Sequence, residues 1–119
     1  AYPEKKGVIQ KETSETLRDL LKAVVSEGSG RNCKIEGFSI GGKTATSEKL
    51  PRGNGKYISS FLGFSKAEDP TVMGIVLIDE PEGTYYGGTI AAPVMRSVFQ
   101  VALPYLGISK DYTAEKENE

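Results

Sequence analysis

The chain has 119 residues, of which 26% are charged and 38% are hydrophobic, and its formal net charge is -1. This length suits one domain, and the composition is typical of a soluble globular protein. The charge balance leaves no basic excess to neutralise phosphates, so we expect no nucleic-acid partner. The sequence has no histidine and one cysteine, Cys33, which excludes a Ser-His-Asp triad, a histidine-ligated zinc and an intrachain disulfide. We expect Cys33 to be an unpaired structural residue, and we predict no metal site and no cofactor.

The first quarter of the chain predicts a lead-in followed by a helix. Residues 1–12 mix charges, proline and glycine, and form the expected lead-in. Thr13 or Ser14 can then cap a helix, because their hydroxyls accept hydrogen bonds from free N–H groups of the first turn. Apolar residues recur at helical spacing after this point, at Leu17, Leu20, Leu21, Val24 and Val25. Gly28 and Gly30 stop the helix.

Three strands are predicted in the middle of the chain. They cover residues 35–46, 57–64 and 72–78, with turn-rich segments between them. The third is a nearly continuous apolar run, which indicates burial on both faces. Connections this short favour antiparallel neighbours, so the strands should form a three-stranded meander.

The last part of the chain predicts a second helix and a charged tail. A loop with Gly83, Gly87 and Gly88 leads to a helix that has Pro93 in its first turn and that Pro104 ends or kinks. This helix is apolar around most of its girth and is expected to be largely buried. Residues 110–119 are expected to be disordered. The predicted fold class is α+β: a helix, a three-stranded antiparallel meander and a C-terminal helix packed on the sheet, all in one domain.

One segment matches the phosphate-binding pattern G-x-x-x-x-G-K-T, at residues 37–44. Residues 74–80 form an apolar run that ends in an acidic pair, as in a magnesium-binding strand. A phosphate-binding loop works only if its Lys-Thr pair opens a helix. Pro51 and the glycines beyond it prevent a sustained helix after Thr44. We therefore predict that Lys43 lies on a strand, and we keep a nucleotide-binding domain as an alternative.

Four ordered blocks of sequence resemble the end of the transpeptidase domain of class B penicillin-binding proteins. They are Gly-Gly-Lys-Thr-Ala-Thr-Ser at 41–47, Tyr-Ile-Ser-Ser-Phe-Leu-Gly-Phe at 57–64, Val-Leu-Ile-Asp-Glu-Pro at 76–81 and Tyr-Tyr-Gly-Gly-Thr-Ile-Ala-Ala-Pro-Val at 85–94. The resemblance extends from the first helix to residues 106–108. It implies a partial penicillin-binding transpeptidase/β-lactamase-like fold, and it places the N-terminal part of that domain outside this chain.

The family's active site combines Ser-x-x-Lys, Ser-x-Asn and Lys-Thr-Gly, and only the third has a counterpart among the 119 residues. The resemblance implies that Lys43 is catalytic and that Thr44, Ala45 and Thr46 bind substrate. The hydroxyls of Thr44 and Thr46 are the candidates for binding a carboxylate, and the backbone N–H of Thr46 for the oxyanion hole. Ala45 departs from the family's glycine by one methyl group. Because residues two apart share a face of a strand, Lys43 and Ala45 should face away from Thr44 and Thr46.

The implied function is that of part of a peptidoglycan D,D-transpeptidase, which cross-links stem peptides ending in D-alanyl-D-alanine and binds β-lactams. This chain alone should be inactive, because it lacks the serine nucleophile. The implied location is the extracytoplasmic face of the bacterial membrane, with an anchor outside this chain. A non-catalytic binding module of the same fold is a further alternative.

Three more expectations concern residues near the strands. Asp79 and Glu80 should form a strand-end turn and not a catalytic pair, and Tyr85 and Tyr86 should pack in the core beneath a loop. The strand at 72–78 should be an exposed sheet edge, which would favour self-association of the chain.

Overall fold

The computed structural model describes residues 2–111. Helix α1 (Lys11–Ser26) is followed by a 3-10 turn (Arg31–Cys33) and three strands, β1 (Ile40–Glu48), β2 (Tyr57–Ser65) and β3 (Val72–Asp79). A single helical turn, α2 (Gly87–Ile90), leads directly into helix α3 (Ala92–Tyr105). The strands form one antiparallel sheet in the order β1-β2-β3. The predicted α+β meander is therefore confirmed.

The core lies between one face of the sheet and α3. Gly63 of β2 and Gly74 of β3 leave room for α3, since a Cβ atom on either would lie 3.1–3.2 Å from Met95. The largest fully buried side chains of this layer are Phe61, Phe99, Met95 and Leu103. Helix α1 packs against β1 and adds Val25 to the same cluster, and the 3-10 turn adds Cys33. The core thus ties both long helices to the strand that carries Lys43.

Cys33 is fully buried and forms no disulfide among the described residues. Burial raises the pKa of its thiol to about 12, because the thiolate loses its hydration, and the positive charge of Arg96 opposes this rise only in part. The thiol is therefore protonated at neutral pH and unsuited to nucleophilic attack. This confirms the structural role expected for Cys33.

Helix α1 begins earlier than the capping residues predicted. Its first residue is Lys11, and Gln10 precedes it in an extended conformation without a side-chain cap. Lys11 and Glu15, one turn apart, form an ion pair at 3.7 Å on the exposed surface. Thr13 and Ser14 therefore lie inside the first turn, and their assignment as caps is wrong.

The first strand begins later than predicted, at Ile40 and not at residue 35. The N–H group of Phe38 donates a 3.1 Å hydrogen bond to the carbonyl of Ile35, which closes a turn there. Gly37 within that turn has a φ of 87°, a conformation that glycine adopts without steric cost. The apolar residues at 35–38 therefore pack beside the sheet without belonging to it.

Burial of β3 and of the helices is less complete than their apolar composition predicted. Exposed and partly buried residues alternate along β3, and Met73, Ile75 and Leu77 are 59–71% exposed. The helices likewise expose apolar side chains: Leu17 and Leu20 on α1, and Val94, Val98 and Val101 on α3. No element among residues 2–111 covers these surfaces, so the predictions of a β3 buried on both faces and a largely buried α3 are wrong for this part of the chain.

The nucleotide-binding alternative is also wrong. Lys43 and Thr44 lie within β1, paired with Leu62 and Phe61 of β2, and no helix opens at Thr44. The phosphate-binding geometry requires a helix N-terminus at this point, and the chain instead continues as a strand to Glu48.

The start of the predicted disordered tail contacts the rest of the structure. The N–H group of Asp111 donates to the carbonyl of Gly37 at 2.7 Å, and its carboxylate accepts a hydrogen bond from the N–H group of Ser39 at 2.9 Å. Residues 112–119, which make up most of that predicted tail, lie outside the described residues. Within residues 2–111, none of the helices is both long and apolar enough to pass through a membrane.

Candidate active-site strand

Strand β1 is held against β2 by two aromatic rings that cover two glycines. A Cβ atom on Gly42 would lie 2.5 Å from the ring of Phe61, and one on Gly41 would collide with the ring of Phe64. Only glycine leaves space for both rings. This packing fixes the register of β1, and with it the positions of the four residues that follow.

The side chains of these four residues alternate across the strand, as predicted. Thr44 and Thr46 are paired with Phe61 and Ser59, whose side chains are buried on the helical side of the sheet. Lys43 and Ala45 lie on the opposite side and are exposed. The ammonium group of Lys43 donates a 3.0 Å hydrogen bond to the carbonyl of Thr44. The structure therefore brings the two threonines together and separates them from the lysine side chain.

The two threonine hydroxyls open into a cleft of about 320 Å³ between the end of α1, β1 and α2. The hydroxyl groups of Ser29 and Thr44 are hydrogen-bonded at 3.2 Å. The N–H group of Gly87 donates to the hydroxyl oxygen of Thr46 at 3.1 Å. The side-chain amide of Asn32 donates to the carbonyl of Gly88 at 2.8 Å, which ties the 3-10 turn to α2 across the cleft.

Two glycines allow α2 to approach β1 so closely. A Cβ atom on Gly87 would lie 2.5 Å from the carbonyl oxygen of Ala45, and one on Gly88 would lie 2.5 Å from that of Ser29. Both obstacles are backbone atoms, which cannot move aside as a flexible side chain can. The Gly87-Gly88 pair is thus required for the hydrogen bond that holds the Thr46 hydroxyl.

Three tyrosines form a row, and one of them, Tyr86, lines the cleft. The rings of Tyr57 and Tyr85 are stacked, with centroids 3.9 Å apart, and Tyr86 lies 4.7 Å from Tyr85 at a tilt. The hydroxyl of the buried Ser59 donates to the carbonyl of Tyr85 and so anchors this segment to β2. The hydrogen bond between the two neighbouring tyrosines raises the pKa of Tyr86. Tyr86 is 59% exposed, so the expectation of core packing is wrong for this residue.

The acidic pair at the end of β3 forms ion pairs at the surface. The ammonium group of Lys49 lies 2.9 Å from Asp79 and 2.8 Å from Glu80, and that of Lys56 lies 3.4 Å from Glu80. Hydrogen bonds from Lys49 and then Lys56 lower the pKa of the Glu80 carboxyl, and the same contacts raise the pKa of Lys49. The pair ends the strand, as predicted. Residues 2–111 contain no cluster of acidic or sulfur ligands able to hold a metal ion.

Sequence reasoning identified the strand but missed its supports. The hydrogen bonds that support the cleft join residues far apart in the chain. Ser29, Asn32 and Gly87 are separated from their partners by 15 to 56 residues. No periodic pattern links positions so far apart. The adjacent glycines 87 and 88, in a segment that otherwise starts a helix, were the one signal of a close backbone approach.

A family model and curated relatives agree on the family to which this chain is similar. Residues 2–100 match the model of the penicillin binding protein transpeptidase domain. The chain is 44% identical over 108 residues to stage V sporulation protein D of Bacillus subtilis, covering 87% of this chain and 17% of that protein. It is 38% identical over 112 residues to the probable peptidoglycan D,D-transpeptidase PenA of Neisseria flavescens, covering 90% of this chain and 28% of that protein.

A solved structure shows the same fold. The transpeptidase domain of penicillin-binding protein 3 from Burkholderia pseudomallei superposes with a TM-score of 0.80 at 29% identity, covering 94% of this chain and 35% of that one. The chain thus spans well under half the length of each of these relatives. The matched residues include the whole of β1 and its cleft. The chain belongs to the penicillin-binding protein transpeptidase family, as a portion of a class B transpeptidase domain.

Proposed function

We propose that this chain supplies the substrate-binding strand of a peptidoglycan D,D-transpeptidase, with residues 1–119 forming a C-terminal portion of its catalytic domain. The observation that carries the proposal is the position of Lys43-Thr44-Ala45-Thr46. These residues lie on an edge strand, with the lysine exposed on one side and two threonine hydroxyls in a polar cleft on the other. Two hydroxyl groups in a polar cleft suit a ligand that ends in a carboxylate, and a lysine on the other side of the strand suits a separate, catalytic task.

The proposed role of each of these four residues follows from the chemical group that it presents. Lys43 is the catalytic residue and acts by its charge and its ability to transfer a proton near the reacting serine. The hydroxyls of Thr44 and Thr46 bind the carboxylate of the substrate, and the backbone N–H of Thr46 contributes to the oxyanion hole. Ala45 presents its methyl group on the exposed side of β1, away from Gly87, so the substitution for glycine leaves the cleft unchanged.

The substrate in this proposal is a stem peptide ending in D-alanyl-D-alanine, and β-lactams bind as its analogues. The family's serine nucleophile has no counterpart among the 119 residues, since none of their serines has a lysine three positions later. The reaction therefore needs the N-terminal part of the same domain as a partner. The place of action is the extracytoplasmic face of the bacterial membrane, with the anchor in another part of the protein.

A chimera tests the proposal. This chain replaces the matching 112-residue segment of the N. flavescens PenA protein, and the product is incubated with a fluorescent penicillin. We expect a covalent adduct, visible after denaturing electrophoresis and by intact mass. The same chimera with Lys43→Ala should lose at least about 100-fold in labelling rate while keeping its melting temperature, because a group of the catalytic unit is removed.

The isolated chain is the second arm of this experiment. It should form no adduct, because none of its serines has a lysine three positions later and the chain contains no histidine to act as a base. Stoichiometric labelling of the isolated chain would contradict the proposal, and so would a folded chimera that fails to react.

A further inference from the structure

Arg31 shares the cleft with the two threonines, and Lys43 does not. The cleft is lined by Ser29, Arg31, Asn32, Thr44 and Thr46 on one side and by the segment 86–89 on the other. Arg31 is the only charged residue among these, and no acidic side chain lines the cleft. The ammonium group of Lys43 is on the other side of β1, where it is bonded to a backbone carbonyl. A ligand group held by both threonine hydroxyls therefore lies in a cleft that Arg31 lines, and the strand separates it from the ammonium group of Lys43.

The backbone of Arg31 is held rigidly although its side chain is exposed. Its neighbours Gly30 and Cys33 are buried, and a Cβ atom on Gly30 would lie 3.1 Å from the ring of Phe61. The hydrogen bond from Asn32 to Gly88 fixes the next residue of the turn against α2. Within residues 2–111 the guanidinium group forms no ion pair and no hydrogen bond. Its five donors are thus available to a ligand, and their planar arrangement matches a carboxylate.

The hydroxyl of Thr46, which lines the same cleft, keeps its own hydrogen for a ligand. Its oxygen accepts the hydrogen of the Gly87 N–H group, so its own hydrogen remains to be donated. A hydroxyl group that accepts one hydrogen bond becomes a stronger donor in the next, because the two bonds polarise each other. Ser29 restricts the rotation of the Thr44 hydroxyl through their 3.2 Å hydrogen bond. The cleft therefore presents donors and one positive charge, which is the complement of an anion.

We infer that Arg31, and not Lys43, supplies the positive charge that pairs with the ligand's carboxylate, and that Ser29 is a positioning residue for Thr44. The inference rests on the proposed function, because it takes a peptide ending in a carboxylate as the ligand. It assigns separate tasks to the two cations: Arg31 anchors the carboxylate from the cleft, and Lys43 keeps its catalytic role on the other side of the strand. A carboxylate-terminated ligand bound in this way should lose affinity when the charge at position 31 is removed.

The test uses the 119-residue chain labelled with ¹⁵N. N-acetyl-D-alanyl-D-alanine is titrated to about 50 mM, a range suited to the weak binding expected of a few exposed polar contacts. Its C-terminal amide is the uncharged control ligand. The amide signals of residues 43–47, 87 and 88 report binding at the cleft. The variants are Arg31→Gln, Arg31→Lys, Lys43→Gln and Arg52→Gln, the last being a matched loss of charge in an exposed turn outside the cleft.

We expect the acid to shift these signals and the amide to bind at least about threefold more weakly. Arg31→Gln should weaken binding of the acid about fivefold, the size of one charge-assisted contact at an exposed site, and should abolish the preference for the acid. Arg31→Lys should retain part of the affinity, Arg52→Gln should leave it unchanged, and Lys43→Gln should weaken it less than Arg31→Gln. The spectrum of each variant in the absence of ligand shows that it remains folded.

Two results would overturn the inference, and they differ in what they say about the proposed function. If the acid binds at the cleft and Lys43→Gln weakens it more than Arg31→Gln, the charge assignment is wrong and the proposed function stands. If the acid shifts no signal of β1 at 50 mM in the wild-type chain, the cleft is not a carboxylate site and the proposed role of Thr44 and Thr46 is also wrong.

Discussion

The two outer strands of the sheet, β1 and β3, are built from different chemistry. Beside β1 lie α1 and the turn that begins with Gly87, and the hydroxyls of Thr44 and Thr46 are hydrogen-bonded to Ser29 and to that turn. β3 has α3 on one face, and its other face exposes Met73, Ile75 and Leu77, with no element among residues 2–111 along its outer side. A polar, pre-ordered edge suits a small ligand, whereas an apolar edge with free backbone groups suits another protein segment. The difference predicts which strand binds substrate and which associates with protein.

The largest effect is expected from Gly87→Ala, which would break the support of β1. The added Cβ atom would lie 2.5 Å from the Ala45 carbonyl oxygen, so the turn must move away from the strand and lose its bond to Thr46. We expect a loss of about 3 kcal/mol in the free energy of unfolding, measured by urea denaturation. Thr89, an exposed residue two positions away, provides the matched control. Thr89→Ala should change the free energy of unfolding by less than about 0.5 kcal/mol. Equal stabilities of the two variants would show that the turn does not depend on this contact.

A smaller effect, on association, is expected at the other edge. Ile75 is 59% exposed at the centre of β3, and a lysine there would oppose pairing of two such strands. We expect the wild-type chain to self-associate at a concentration of about 100 μM and Ile75→Lys to raise the dissociation constant at least about tenfold. Sedimentation velocity measures both. The control is Ser47→Lys, an exposed position of β1, which should leave the association unchanged. A wild-type chain that sediments as a monomer throughout would remove the distinction between the two edges.

The smallest effect is expected from the ion pairs between the end of β1 and the end of β3. Lys49 follows β1 and Glu80 follows β3, and their contact holds the pKa of Glu80 below the usual 4.5. A carboxyl whose pKa is lower in the folded state adds stability above its unfolded pKa and loses it as the pH falls through the folded value. Glu80→Gln should therefore lower the melting temperature slightly at pH 7 and have no effect near pH 2.

Salt gives the control for this prediction. These side chains are exposed to solvent, so about 0.5 M NaCl should remove most of the difference between the wild-type chain and Glu80→Gln. Glu82→Gln, a loss of the same charge two residues away, should have no comparable effect. A difference that persists at pH 2 would mean that the glutamine perturbs the turn and not the ion pair.

Much of the fold could be predicted from local patterns. Apolar residues at helical spacing located α1, and the turn-rich segments around β2 and β3, with the apolar run of β3, located these strands within one residue. Pro93 marked the first turn of α3. Burial was predicted poorly. An apolar residue type, such as that of Ile75 or Val98, indicates only that the side chain prefers an apolar environment. Which element provides that environment depends on residues far away in the chain or outside it.

The site divides in the same way. Lys43 to Thr46 could be recognised as a motif, and their alternation followed from strand geometry. Ser29 and Arg31 could not, since a serine after a helix and an arginine in a polar turn are common on any surface. Their role depends on the distance between the end of α1 and β1, which is set by burial of Cys33 and Phe61 in the core. Tertiary packing, and not local sequence, therefore creates the cleft.

The rings that cover Gly41 and Gly42 have a consequence for how this strand changes during evolution. Neither glycine has a positive φ, so it is the space taken by Phe64 and Phe61, and not backbone strain, that excludes a larger residue. A Cβ atom at position 42 would also lie 2.7 Å from the backbone oxygen of Leu62, so a smaller residue at position 61 would not make room for it. At position 41 only the ring of Phe64 stands in the way, so a simultaneous change of Phe64 to a smaller residue would make room there. Position 42 should therefore remain glycine among homologous sequences, whereas positions 41 and 64 should vary together although about twenty residues of chain separate them.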